Sequence, residues 1–274
     1  MRSFPVHLSV FFICFIPLLV KGQKDSTAGN HQASYIDKRY LKSYLTGARD
    51  IAISPLRWNT FQWVGATAVV GTTVLLFTQD GPIQEWVQAN RSPSLDQISR
   101  YLFEPIGSGV YSLSAMGVLY GCGLIWHDDR AKLTALKGVE AFVLAGITSQ
   151  IIKHLTHRHR PNQDEPPKPE EWDGPFQGFD YTAFPSGHAT TAFAIATVVA
   201  TSYQQTIWVP IVCYTLATGA ALSRVYDNKH WVSDVVLGSV VGFAIGKLVI
   251  KNESKLKVLP VSPTGPGISL VYPF

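Results

Sequence analysis

Six apolar stretches constrain this chain most: residues 61–77, 106–126, 133–152, 189–203, 207–222 and 232–250. Each is rich in Val, Leu, Ala and Gly and lacks the alternation of a half-buried strand, so each predicts a helix. Helices this apolar need a core or lipid around them. Hydrophobic residues make up 46% of the 274 and charged residues only 15%, against about 25% charged in a soluble domain. The mean hydropathy of +0.12 does not decide between core and lipid. Several stretches fall short of the ~20 residues of a span, and the third contains Lys137 and Glu140.

Glycine spacing favours lipid. Gly238, Gly242 and Gly246 form a ladder on one helix face, and Gly117 and Gly121 form a pair. Glycine costs a helix in water about 1 kcal/mol relative to Ala, whereas in membrane bundles it lets backbones approach closely. A tightly packed soluble bundle is the other use of such a ladder. The expected fold is all-α, a six-helix transmembrane bundle with its active site at the helix ends on one face.

The flanks read differently. Residues 1–22 have the layout of a secretory signal or an uncleaved N-terminal anchor, with Arg2 ahead of an apolar run at 8–20 and Gly22 behind it. Residues 23–56 form a polar segment, with Lys38, Arg39, Lys42, Arg49 and Arg57 at or just past its end. The helical core spans 57–252 and a tail spans 253–274, where 268–274 alternates like a single strand. A polar, helical linker is expected at 82–103. The longest loop, 162–184, is rich in Pro and acidic residues and then in Trp172, Phe176, Phe179, Tyr181 and Phe184. Those aromatics suit a pocket cap, a headgroup layer or a few anchors on a solvated loop. Cys14, Cys122 and Cys213 all lie in apolar segments, which fits neither a disulfide framework nor a metal cluster. A net charge of +4 with no basic stripe argues against nucleic acid, and no obligate protein partner is indicated.

Three polar clusters sit at helix ends. Lys153 and Arg160, with six residues between them and Pro161 following, close the third helix. Proline disfavours helix at the residue before it. Two cations at one spot suit a phosphate, the arginine gripping two oxygens and the lysine adding a point charge. Pro185-Ser186-Gly187-His188 opens the fourth helix. Ser186 is an N-cap candidate, a helix N-terminus binds anions, and Gly187 admits a close ligand. Ser223-Arg224 is followed by His230 and Asp234, which are i,i+4 and meet on one face. The carboxylate can accept a hydrogen bond from one ring nitrogen and leave the other free to attack. Taken singly, each cluster also reads as an ordinary polar helix end. If helices three to six each cross once, however, all three clusters reach the same side. His154, His157 and His159 read as a polar helix end rather than a metal site, because no carboxylate or cysteine in the sequence pattern completes them.

In order, the three clusters resemble the signature of the type 2 phosphatidic acid phosphatase and vanadium haloperoxidase superfamily, over about residues 57–250. The resemblance implies a helical bundle and phosphate ester hydrolysis without metal or cofactor. By the same resemblance His230 is the nucleophile that forms a phosphohistidine, Asp234 its orienting carboxylate and His188 the general acid. Lys153, Arg160, Ser186, Gly187 and Arg224 form the phosphate clamp. The expected substrate is a lipid phosphate or diphosphate. The alternatives are a soluble periplasmic acid phosphatase or a vanadate-dependent haloperoxidase. Basic residues before the first helix and after the last favour both ends inside. That implies a bacterial membrane with a periplasm-facing site; a cleaved signal would turn strict alternation the other way.

Overall fold

The computed structural model describes residues 36–175, 177–178 and 182–254. The leader at 1–22, the strand-like 268–274, Phe176, Phe179 and Tyr181 lie outside the described residues. Among the described residues there are ten α-helices: α1 (Lys38–Ile53), α2 (Thr60–Phe77), α3 (Asp80–Ala89), α4 (Pro93–Ile98), α5 (Glu104–Gly107), α6 (Gly109–Ile125), α7 (Asp129–Thr156), α8 (Gly187–Ser202), α9 (Trp208–Tyr226) and α10 (Val232–Ser254). A π-helical turn, Ser99–Phe103, joins α4 to α5. The described residues contain no strand, and an isolated bridge pairs Arg158 with Trp172.

All six apolar stretches fall on helices, and the linker at 82–103 is helical as expected. The bundle nevertheless has more than six helices. Residues Lys38–Ile53, read as part of a polar segment, form an amphipathic helix whose first turn is capped by Asp37, which accepts from the N–H groups of Arg39 and Tyr40. Gly47 brings α1 against Leu144, and Ile51 packs on the Ala141, Leu144 and Val249 cluster.

Helix ends follow local chemistry. Asn59 and Gln62 form a capping box at α2. Asp128 caps α7. The C-terminus of α7 is not set by Pro161: the helix ends at Thr156, and His157 takes a left-handed conformation with φ 44°. A left-handed residue reverses the chain before proline can act, so Arg160 lies beyond the helix.

At the centre is α8, packed against α7, α9 and α10. Small residues make this possible. A Cβ on Gly238 would lie 2.7 Å from the Ser186 carbonyl oxygen, one on Gly246 would lie 2.7 Å from that of Ala194, and one on Gly242 would overlap that of Thr190. The ladder is therefore a seam between α8 and α10. Gly117 and Gly121 have no neighbour within 4 Å and form no such seam among the described residues.

Four helices, α2, α7, α9 and the Val232–Asn252 part of α10, are long and apolar enough to cross a membrane. A fifth is counted if the pair bent by 62°, Pro93–Gly107 and Gly109–Ile125, makes one span. Helix α8 is not among them. At about 1.5 Å per residue it is short of a ~30 Å hydrocarbon core.

Candidate active site

The eight residues singled out in sequence meet at one end of the bundle. Lys153 is buried in the last turn of α7, and its ammonium donates to the Thr182 carbonyl. Arg160 Nη2 reaches Thr182 Oγ1 at 3.4 Å. Ser186 caps α8 by accepting from the Ala189 N–H, and its own N–H donates to the Asp234 carbonyl at 3.0 Å. Gly187 keeps the start of α8 close to Ser149 and Lys153, where an added Cβ would lie 3.8 Å from Lys153 Cε. His188 packs against Gly107. Arg224, in the last turn of α9, pairs with Glu104 at 3.2 Å and lies 3.8 Å from Asp227. His230 and Asp234 are buried where α10 begins.

The His230–Asp234 pair is longer than the i,i+4 spacing led us to expect. Nδ1 lies 3.6 Å from Asp234 Oδ2 and makes no hydrogen bond among the described residues. The carboxylate is held by others: Oδ2 accepts from the Trp231 N–H at 2.9 Å and Oδ1 from Arg158 at 2.5 Å. The Nε atoms of Arg160 and Arg224 are likewise buried without a hydrogen-bond partner.

Burial first, with Lys153 and Arg160 adding to it and Asp234 opposing it, brings the His230 imidazole down to about 3. The ring is therefore neutral at pH 7, as a nucleophile must be. Burial, then Arg224, brings His188 down to about 4; Lys153 and Arg160 add to this and Glu104 opposes it. Arg160 is also held below its usual range, first by burial and then by Arg224. Cations forced together in a dry site are poised for an anion with several oxygens.

The histidines of the α7 terminus have work of their own. His157 holds the carbonyls of Gly174 and Gly178 through its two ring nitrogens, at 2.8 and 3.1 Å. His159 Nδ1 lies 2.6 Å from Asp164 and Nε2 3.2 Å from Asp173. The acidic loop thus supplies the carboxylates that the sequence pattern had not placed there. They lie on opposite sides of one ring, and no group among the described residues could hold a metal ion. Trp172 of the same loop meets the Phe77 ring edge to face at 5.5 Å and Phe184 meets it at a tilt at 5.8 Å, which closes the loop over the end of α2.

Residues 134–257 match the family model of the PAP2 superfamily. That match covers a little under half of the chain's 274 residues. A lipid A 1-phosphatase from Porphyromonas gingivalis is 42% identical over 24% of this chain and 15% of that protein. A decaprenylphosphoryl-5-phosphoribose phosphatase from Mycobacterium tuberculosis is 35% identical over 46% of this chain and 65% of its own length. The chain thus spans less than two thirds of each of these two relatives. A lipid A 1-phosphatase from Rhizobium johnstonii is 26% identical over 76% of this chain and 83% of that protein. The transmembrane PAP2-type phosphatidylglycerolphosphate phosphatase of Bacillus subtilis superposes with a TM-score of 0.53 at 21% identity. The superposition covers 80% of this chain and 96% of that one, a likeness of fold. Four helices, or five with the bent pair, are long and apolar enough to cross a membrane, and the fold is like that of this transmembrane protein.

The matched PAP2 segment contains all eight residues. Asp80 and Glu104 lie before it, and sequence reasoning passed over both, as it did Arg158 between two motif positions. Asp80 and Glu104 each stand beside an apolar stretch, and that was the one signal available; Arg158, in the polar run after the third stretch, offered none.

Proposed function

We propose that this protein is a metal-independent phosphatase that hydrolyses a phosphomonoester or diphosphate group on a lipid through a phosphohistidine on His230. The observation that carries the proposal is the convergence of Lys153 and Arg160 on a buried neutral His230, with Arg224 beside His188 and arginine Nε donors that no group among the described residues satisfies. In this reading the arginines, Lys153 and the first N–H groups of α8 hold the equatorial oxygens. His230 Nε2 attacks phosphorus, the P–O bond to the lipid breaks, and the leaving oxygen takes a proton from His188. Water then attacks the phosphohistidine, His188 takes its proton, and the P–N bond breaks. His188 is neutral on its own, so the negative charge of bound phosphate is what raises it into the acid form.

A lipid substrate is supported by a cavity of about 190 Å³ between α6, α8 and α9. Ile106 and Ala192 line it one turn from Gly107 and His188, and Met116, Leu119, Val199 and Trp208 line it farther along. Its apolar lining suits an acyl or isoprenoid chain. The names of the relatives, phosphatases of lipid A and of a decaprenyl phosphate, agree with this class. The end of the bundle away from the site carries Lys38, Arg39, Arg130, Lys132 and Lys251. By the positive-inside rule that end is cytoplasmic and the site faces the periplasm of a bacterium.

The test is phosphate release from phosphatidic acid, undecaprenyl diphosphate and p-nitrophenyl phosphate in detergent micelles, with His230→Ala beside the wild type. Lipid phosphates should be preferred, acid-labile label should be trapped on the wild type alone, and His230→Ala should lose at least ~10³-fold in rate. Full activity in His230→Ala would remove the nucleophile. Equal turnover of the soluble ester would favour a broad acid phosphatase, and bromide oxidation with vanadate a haloperoxidase.

A further inference from the structure

Behind His230 the buried charges do not stop at Asp234. Arg158 is fully buried, and all five of its N–H groups are engaged. Nη1 donates to Asp234 Oδ1 at 2.5 Å and Ser233 Oγ at 2.7 Å. Nη2 donates to Asp80 Oδ2 at 2.7 Å and the Pro169 carbonyl at 2.8 Å, and Nε donates to the same carbonyl at 3.1 Å. Asp80 is itself buried. Its Oδ1 accepts from the Ser233 N–H at 3.0 Å and its Oδ2 from the Ser233 hydroxyl. The rings of Phe77, Trp172 and Trp231 enclose the guanidinium at 4.9, 4.9 and 5.5 Å. One side chain therefore ties together the start of α3, the acidic loop and the first turn of α10.

The charge count makes this more than a staple. A lone guanidinium on Asp234 would cancel the carboxylate that His230 relies on as its ring becomes positive. Two carboxylates on one guanidinium leave the cluster with a net negative charge. In a dry site that charge has few competitors. Position matters equally. With Oδ1 held by Arg158 and Oδ2 by the Trp231 N–H, Asp234 cannot rotate, and Oδ2 stays facing His230.

We propose that Asp80 and Arg158 are positioning residues for the nucleophile: Arg158 fixes Asp234, and Asp80 restores the negative charge that Arg158 would otherwise cancel. The proposal rests on His230 as the nucleophile. Groups behind a reacting side chain that set its orientation and basicity are typically worth ~10–100-fold. The loop also enters the relay, through the Pro169 carbonyl and Trp172, so displacement of the loop is felt at Asp234.

The experiment uses the full chain in detergent, with phosphatidic acid as substrate and Asp80→Asn as the main variant, because it keeps shape and removes one charge. The expected result is a kcat lower by ~10–100-fold with KM nearly unchanged. Less phosphohistidine should be trapped per folded molecule at steady state, because the cluster beside the phosphorylated ring has lost its net negative charge. Arg158→Lys keeps a cation without the fork and should also lower kcat at constant KM. If Asp80→Asn fails to fold, Ser233→Ala removes a single hydroxyl from the same relay and is read the same way. Wild-type kcat and trapping per folded molecule in these variants would reduce the relay to a staple. If His230→Ala remains active in the same assay, the nucleophile assignment falls and takes the relay with it. If His230→Ala is inactive while Asp80→Asn runs at the wild-type rate, the relay alone falls.

Discussion

Helix α7 buries charge at both of its ends. Toward its start, Lys137 donates to Glu140 at 2.8 Å, one cation to one anion. Tyr40 donates to the Leu136 carbonyl beside them and shares a 2.5 Å contact with Tyr44. Toward its C-terminus, Lys153, Arg160 and Arg224 gather around His188, and arginine and histidine nitrogens have no hydrogen-bond partner among the described residues. The first cluster is closed: its charges balance, and it docks α1 onto the bundle. The second brings like charges together and leaves donors unsatisfied, which costs stability unless an anion supplies acceptors. A buried charge alone does not mark a site. Convergent like charges with open donors do.

Four experiments sharpen or break that contrast. The largest effect is expected at the site end, where His188→Asn should lower turnover by ~10²–10⁴-fold while the melting temperature holds. Unchanged turnover would deny His188 the acid role. At the other end, Glu140→Gln leaves the Lys137 ammonium without its carboxylate, and loss of one partner of a buried pair costs about 3–5 kcal/mol. Thermal melts should show that loss, while kcat per folded molecule stays at the wild-type value; a drop in kcat would tie the two ends together.

Gly242→Ala pushes a methyl into the Thr190 carbonyl and should cost about 1–3 kcal/mol, whereas Gly117→Ala should stay within about 0.5 kcal/mol. Equal melting temperatures for the two would contradict the α8–α10 seam. The smallest effect is in pH dependence. Glu104 favours the protonated form of His188. Removing that charge in Glu104→Gln lowers His188, so the general acid is lost earlier and the basic limb of kcat moves to lower pH, by up to about one unit. A shift to higher pH would reverse the assigned sign.

Much of this was legible in sequence because it is local. The apolar stretches, the Ser186 cap and the His230–Asp234 spacing each lie within a few residues, and helical periodicity displays them. The same reasoning overreached at Pro161, since the left-handed His157 had already ended the helix. It also closed a hydrogen bond that the Trp231 N–H and Arg158 pull open to 3.6 Å. What it missed is tertiary. Arg158 and Asp80 are 78 positions apart and leave no periodic trace. The docking of α1 through Gly47 depends on a partner helix that no local pattern names.

The lateral surface of α2 is nearly bare: 6% of its apolar window is buried within the protein, yet its end carries Phe77 and leads straight to Asp80. Eighteen residues span about 27 Å, close to the thickness of a hydrocarbon core. In the proposed bilayer, a helix that packs on one side against α10 and otherwise meets acyl chains takes part of its tilt from the lipid. The Asp80–Arg158 ion pair is the clamp on that end of the helix, so in the proposed bilayer a change in the tilt of α2 would load the clamp behind Asp234.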